Sequence, residues 1–276
     1  MPVPPVEHTV TVNGLRLHYL AWGEPAPRRL LLLHGSQGHA WLWQDVAAQL
    51  AHRRQVLALD LRGHGDSARP DPPSYRLRDY ADDVRALAAA QHLEPLVLIG
   101  HSLGALVAML LAGTGALALA GAAFLDIEAA PPSYQAEHLN AAGARPVPRF
   151  ATLVEAVERE ARSLVVTVPR ERLTRLVAQG LRPLPEGGFA PKADREALRQ
   201  FEQVDLRPLL PRVACPALVM RGAESRVMRR EAALAMASSL PLGRFVEVAE
   251  AGHQLILEQP AATAHALAAW LDEIGA

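Results

Sequence analysis

The sequence predicts an α/β protein: a mostly parallel, eight-stranded sheet flanked by helices, with a helical segment inserted after the sixth strand. Three features carry that expectation. Short continuous apolar runs, such as Leu30-Leu31-Leu32-Leu33 and Leu96-Val97-Leu98-Ile99, are too short for helices and suit strands buried on both faces. Stretches with apolar residues at helical spacing alternate with these runs, the pattern of parallel strands joined by covering helices. The alternation breaks after Glu128 and resumes near residue 212, with a proline-rich stretch of short charged segments between.

Taken in order, residues 8–12 and 15–22 are two alternating runs joined by Asn13-Gly14, a dipeptide that favours a two-residue hairpin because it tolerates positive φ. They are expected to form an antiparallel edge. Arg28-Arg29 opens into the third strand, 30–33, which ends in His34-Gly35-Ser36-Gln37-Gly38; a helix pattern begins near Trp43. The fourth strand, 55–59, runs into the segment 60–67, and a proline-rich loop at 70–73 precedes a helix over 77–91. The fifth strand, 96–99, is followed by a helix from Ala105, and the sixth strand falls at 121–127. Helical periodicity then recurs at 150–164, 170–179 and 193–201, before a strand at 217–220, a helix at 229–239, a strand at 244–248 and a helix at 261–274. The core domain is therefore expected at 1–128 and 212–276. The insertion, 129–211, reads as a small helical lid too polar to fold alone.

Half of the 276 residues are apolar and 21% are charged, enough to bury one large core. The net charge is −1, and basic residues are scattered rather than gathered in a stripe, so nucleic acid is not an expected partner. The single cysteine, Cys215, allows no internal disulfide and no multi-cysteine zinc site; it reads as a small buried residue in a reducing compartment. Met1-Pro2-Val3-Pro4-Pro5 has neither the basic nor the apolar region of a signal peptide, and no apolar run reaches membrane-spanning length. A cytoplasmic protein with no membrane partner is expected. No cofactor or metal is expected either: His34, His39 and His64 have no carboxylate at ligand spacing on one face and read as packing groups around the pocket.

The stretch Gly100-His101-Ser102-Leu103-Gly104 lies between an apolar strand and an apolar helix. A serine hydroxyl is a weak nucleophile at neutral pH, so a sharp corner that exposes it, admits a base and sets a backbone N–H beside it is what nucleophilic catalysis needs. Glycines at 100 and 104 fit such a corner, where side chains would crowd the strand and the helix. This elbow, His34-Gly35, the segment 60–67, and Ala251-Gly252-His253 followed by Glu258-Gln259-Pro260 occur in the order and at the intervals of the α/β-hydrolase superfamily. The chain resembles its capped serine hydrolases over essentially the whole length except the insertion.

The resemblance implies that Ser102 is the nucleophile and His253 the general base, and that the backbone N–H groups of Leu103 and Ser36 form the oxyanion hole. It implies a structural role for Asp60 and Asp66 in the loop after the fourth strand. Epoxide hydrolases and haloalkane dehalogenases of this fold carry an aspartate at the elbow, so Ser102 excludes both as primary activities. The acid departs from the commoner pattern. Most relatives carry an aspartate three residues after the glycine that matches Gly222, and here that position is Ser225. Two carboxylates remain: Asp126, at the end of the sixth strand where a minority of the superfamily takes its acid, and Glu224 as the alternative. Asp126 is preferred, because a carboxylate that ends a buried run needs a partner and an imidazolium would be a good one.

The expected function is hydrolysis of a carboxylic ester or amide bond of a small molecule through an acyl-enzyme on Ser102. Carbon–carbon hydrolysis next to a ketone is the alternative among enzymes; a ligand-binding protein with a decayed triad and a cofactor-free oxygenase are the others. His34, Trp41 and Trp43 are expected at the substrate pocket, with a core role for the tryptophans equally open. Arg145, Arg149, Arg162 and Arg182 lie in the insertion, where one is a candidate to meet a substrate carboxylate. The acyl and leaving groups and the oligomeric state are not legible.

Overall fold

The computed structural model describes residues 4–26 and 29–276. Residues 1–3 of the N-terminal stretch and Arg28, before the third strand, lie outside the described residues. Asn13 and Gly14 take φ of 52° and 74°, so the chain reverses on two residues and pairs β1 (Val6–Val12) with β2 (Leu15–Trp22) antiparallel. Next come β3 (Arg29–Leu33), a 3-10 turn at Ala40–Trp43, α1 (Gln44–Leu50), β4 (Gln55–Leu59) and α2 (Leu77–Ala90). The elbow joins β5 (Leu96–His101) to α3 (Leu103–Thr114), and β6 (Leu119–Leu125) follows.

The chain then leaves the sheet for α4 (Ser133–Ala144), α5 (Leu153–Ala161), α6 (Arg170–Gln179), a small hairpin of β7 (Leu181–Pro183) and β8 (Phe189–Pro191), and α7 (Glu196–Arg199). It returns as β9 (Ala217–Gly222), α8 (Arg230–Ser239), β10 (Gly243–Val248), α9 (Leu255–Glu258) and α10 (Pro260–Glu273). The main sheet has the order β1-β2-β4-β3-β5-β6-β9-β10. All its pairings are parallel except β1 with β2 and β2 with β4.

Period-two alternation sends the apolar strands into two cores. Leu31, Leu33, Leu57, Leu59, Leu98 and Phe124 pack on α2, α3 and α8. Their neighbours Leu30, Leu32, Val56, Val97, Ile99 and Leu125 pack on α1 and α10 from the opposite face. Both faces are covered, which is why these strands read as unbroken apolar runs. Among the described residues, no helix is long and apolar enough to cross a membrane.

The insertion differs most from expectation. Helix α4 and the β7–β8 hairpin were not foreseen, and the helix expected at 193–201 shortens to the four residues of α7. Only Ala136 and Gly143 of α4 are buried, so it has no apolar stripe to announce it. The sixth strand ends at Leu125, two residues early, because Asp126 turns the chain with φ of 53°.

Arg62 ties the hairpin edge to α2. Its Nε and Nη2 donate to the two oxygens of buried Asp83 at 2.6 and 2.7 Å, and Asn13 from the hairpin turn donates to the same carboxylate at 3.1 Å. Removing one member of such a pair strands the other charge away from water. Arg62→Met should therefore lower the unfolding free energy by about 3–5 kcal/mol, whereas the double change Arg62→Met with Asp83→Leu should cost markedly less. Urea melts of both variants check this.

Candidate active site

The elbow is set by how closely three pieces of backbone approach. A Cβ on Gly100 would lie 2.1 Å from the carbonyl oxygen of Gly104, and one on Gly104 would lie 2.4 Å from that of Leu33. No other residue fits at either place. Between them Ser102 adopts φ 52° and ψ −117°, a strained corner that lifts its side chain out of the strand and onto the head of α3. The Ser102 N–H donates to Leu125 O at 2.9 Å and the Gly104 N–H to His34 O at 3.1 Å, so the corner is stitched to β6 and to the loop after β3.

At the end of β6, Asp126 has no exposed surface. A carboxylate so buried needs donors, and it has three: Gly222 N–H on Oδ1 at 3.0 Å, and Ser225 Oγ–H and His253 Nδ1 on Oδ2 at 2.5 and 2.8 Å. Ser225, at the position where the resemblance puts the commoner acid, instead gives its hydroxyl to the carboxylate that follows the neighbouring strand. Glu224 is exposed, and its backbone N–H donates to Ala251 O at 2.8 Å. The structure thus brings Asp126, not Glu224, to His253.

His253 is a quarter exposed, on the loop between β10 and α9. Two buried groups shape that loop. Glu258 accepts from Gly252 N–H with one oxygen and from Val165 N–H at 2.7 Å with the other, joining the insertion to the histidine loop. His101, the residue before Ser102, donates from Nε2 to His253 O at 2.7 Å, with the two rings 4.7 Å apart. Burial, reinforced by the charge of His253, pushes the His101 pKa down to about 3, so it is neutral and keeps the proton this bond requires. Sequence reasoning missed His101. Its only signal is a titratable residue ending a wholly buried strand.

The candidate oxyanion donors sit beside the corner. A Cβ on Gly35 would lie 2.9 Å from Ser102 Cβ, which puts Ser36 next to the elbow, and Leu103 opens α3, where an N–H has no partner within the helix. Among the described residues, neither amide donates to a protein acceptor. No hydrogen bond joins Ser102 Oγ to His253 among them either.

The expected pocket residues need correction. His34 is fully buried; its Nε2 accepts from Leu61 N–H at 3.1 Å, and burial drives its pKa to about 3. Trp43, 0% exposed, packs in the core beneath the sheet, and Trp41 packs against that core. None of the three lines the cavity of about 300 Å³ between the loop after β3 and the insertion, and neither do Ser102, His253, Ser36 and Leu103; the segments of Ser36 and His253 reach it only through Gln37 and Leu257. Gln37, His39 and Leu42 form its floor, and Leu173, Leu176 and Val177 of α6 its wall. Bulk and aromaticity fit a core equally well, which is why the tryptophans misled. All four arginines are exposed; of them Arg145 lines the cavity, Arg149 pairs with Glu186, and Arg162 and Arg182 do neither.

Asp60 holds the floor in place. It accepts from Ala40 N–H at 2.6 Å and Asp66 N–H at 2.9 Å and bonds His18 Nδ1 at 2.7 Å. His18, Asp60 and Asp66 bring ligand-type atoms within 4.8 Å of one another, but the oxygens of Asp60 are engaged by these bonds, so the cluster is a structural hub.

A profile of the alpha/beta hydrolase family matches residues 30–266. The chain belongs to that family. This hydrolase is 30% identical over 246 residues to N-formylmaleamate deformylase of Pseudomonas putida, a match that covers 89% of each chain. It is also 30% identical over 250 residues to 2-(acetamidomethylene)succinate hydrolase of Mesorhizobium japonicum, over 88% of this chain and 87% of that one. The crystal structure of an E-2-(acetamidomethylene)succinate hydrolase shares the fold, with a TM-score of 0.87 at 24% identity over 97% of this chain and 99% of the other. An α/β hydrolase from Novosphingobium aromaticivorans gives 0.84 at 28% identity over 98% of each.

The hub makes stability depend on pH. Burial opposes a charge on His18, yet the hydrogen bond and charge of Asp60 outweigh it and raise its pKa above 6.5; burial likewise opposes a charge on Asp60, yet His18 holds its pKa below 3.8. The histidine's contribution is complete below its unfolded pKa and is lost as pH rises through the raised folded value. The carboxylate's contribution is present above its unfolded pKa and is lost as pH falls through the depressed one. Wild type should therefore exceed His18→Asn in Tm most between about pH 4 and 6.5, with the gap narrowing on the alkaline side. Paired thermal melts across pH check the sign.

Proposed function

We propose that the protein is a serine hydrolase that cleaves a carboxylic ester or amide bond of a small molecule through an acyl-enzyme on Ser102. The observation that carries this reading is the pairing of His253 with a fully buried Asp126, on a loop gripped by the elbow's own His101. The Asp126 carboxylate can only accept, so the imidazole proton sits on Nδ1 and the lone pair on Nε2 is free to act as a base.

Substrate binding closes the contact between Ser102 Oγ and Nε2, a bond that commonly tightens only in the complex. The serine proton passes to Nε2 as Oγ attacks the carbonyl carbon. Negative charge developing on the carbonyl oxygen is met by the N–H groups of Leu103 and Ser36. His253 returns the proton to the leaving alcohol or amine, and the acyl-enzyme forms. Water, deprotonated by the same histidine, then releases the acid and restores Ser102. The Asp126 carboxylate holds the ring through Nδ1 and stabilises the imidazolium. Two relatives matched over most of their length are named for hydrolysis of N-formylmaleamate and of 2-(acetamidomethylene)succinate, which supports an amide as the scissile bond.

A serine-directed phosphonate should add once to the intact protein and not to Ser102→Ala, as read by mass spectrometry; failure of small phosphonates to label the wild type would overturn the reading. On any ester that is turned over, Asp126→Asn should lower kcat by about 10³–10⁴-fold, while Glu224→Gln should stay within about twofold.

A further inference from the structure

We propose that Arg145, Arg159 and Arg195 form an anion receptor that holds a carboxylate of the substrate, so that this hydrolase acts on small molecules bearing a carboxylate beside the scissile acyl group. The inference rests on the hydrolase reading for its second clause only. The three arginines come from different elements: Arg145 follows α4, Arg159 lies in α5 and Arg195 precedes α7. All three line the 300 Å³ cavity.

Arg162, Arg175 and Arg182 of the insertion are also without an ion pair among the described residues, but the arginines that line the cavity are Arg145, Arg159 and Arg195. Arg149, Arg170 and Arg199 pair with Glu186, Glu158 and Glu196, and Arg172 with Asp45 of α1. Among the described residues, Arg145, Arg159 and Arg195 have no ion pair and donate no side-chain hydrogen bond. Arg159 lies 5.8 Å over the ring of Phe150, and Arg195 Nε is buried without an acceptor. Burial lowers the pKa of Arg195, and the charges of Arg159 and Arg145 lower it further. Arg145 and Arg159 are exposed and Arg195 is half-buried with an orphaned N–H, so an anion between the three would satisfy that donor and offset their mutual repulsion. Burial raises the pKa of Glu160, the acid at the cavity, against the Ser163 hydroxyl, which donates to its carboxyl at 3.4 Å, and the charge of Arg159; among the described residues no ion pair joins it to the three arginines.

A second unpartnered group faces the same space. His39 lines the cavity and is 5% exposed; burial drives its pKa to about 4, so the ring is neutral, and its buried Nδ1 has no partner among the described residues. The cavity also has the right address. Gln37, one residue past the candidate oxyanion donor Ser36, donates to Asp194 O at 3.3 Å, which sets the Arg195 segment against the oxyanion loop. Leu257, four residues past His253, lines the other side. The cavity therefore adjoins the loops that carry the proposed base and oxyanion donor, with Ser102 and His253 themselves outside its lining. The remaining wall, Leu42, Leu173 and Leu176, is apolar and suits a short carbon skeleton. Guanidinium forks match the two oxygens of a carboxylate.

Two measurements test this separately from the hydrolase reading. The first is ligand binding to Ser102→Ala, which cannot turn over: succinate should bind by calorimetry and raise Tm, while succinamide, of the same size without charge, should do neither. Arg159→Gln and Arg195→Gln should each weaken succinate binding about ten- to hundredfold. Inorganic phosphate is the third probe, and binding of phosphate in preference to succinate would overturn the carboxylate class. The second measurement uses the wild type alone, so a variant that fails to fold does not blunt it. Mono-4-nitrophenyl succinate should exceed its neutral methyl ester in kcat/KM by about tenfold or more. Turnover of both esters at equal kcat/KM, with no succinate binding, overturns the receptor and leaves the hydrolase standing. Succinate binding with no turnover and no phosphonate labelling leaves the receptor and overturns the hydrolase.

Discussion

Three pieces of backbone meet at the elbow more closely than any side chain would allow. The end of β5, the head of α3 and the end of β3 press together through Gly100 and Gly104, and Ser102 is left as the one residue with nowhere to go but outward. Everything else in the site is referenced to that contact. The Gly104 N–H holds the loop after β3, the Ser102 N–H holds the end of β6, and His101 reaches across to the loop of His253. Close-packed interiors transmit displacement rather than absorb it. A shift of one strand would move the serine, the loop with the candidate oxyanion donor and the histidine relative to one another.

The core was legible because burial on both faces leaves little freedom in composition. Leu30 to Leu33 could be read as a strand from four letters, and the elbow could be read from two glycines around a serine. The insertion was not legible for the converse reason. Helix α4 buries two small residues and draws its order from its neighbours, and the β7–β8 strands are three residues long with prolines at their ends. Sequence alone left Asp126 and Glu224 as rivals because they lie almost a hundred positions apart. Their difference is one of depth: one ends a strand beneath the histidine, the other faces water. Arg159 and Arg195 escaped notice because an arginine on an amphipathic helix or a short turn reads the same whether it meets solvent or a cavity.

Chain connectivity explains why the insertion bears on the site at all. Its backbone at Val165 is held by Glu258, Lys192 pairs with Asp66 at 2.7 Å, and Asp194 N–H donates to Gly63 O at 2.7 Å. The segment is fastened to the histidine loop on one side and to the loop after β4 on the other. The cavity between is a joint product of core and insertion, so its chemistry can change through surface residues of helices while the sheet beneath stays the same.

The Asp126 and Ser225 arrangement has a consequence for how such a site is recognised. Strands β6 and β9 are parallel neighbours in register, Leu125 beside Met220, so the two strand ends reach the same imidazole from almost the same point. A carboxylate at either strand end is therefore placed to meet the histidine without moving it, and here the residue at the β9 end, Ser225, donates to the one at the β6 end. A search that looks for the acid only at the end of β9 would find Ser225 and pass over Asp126. One that looks at the neighbourhood of the histidine finds the carboxylate at 2.8 Å.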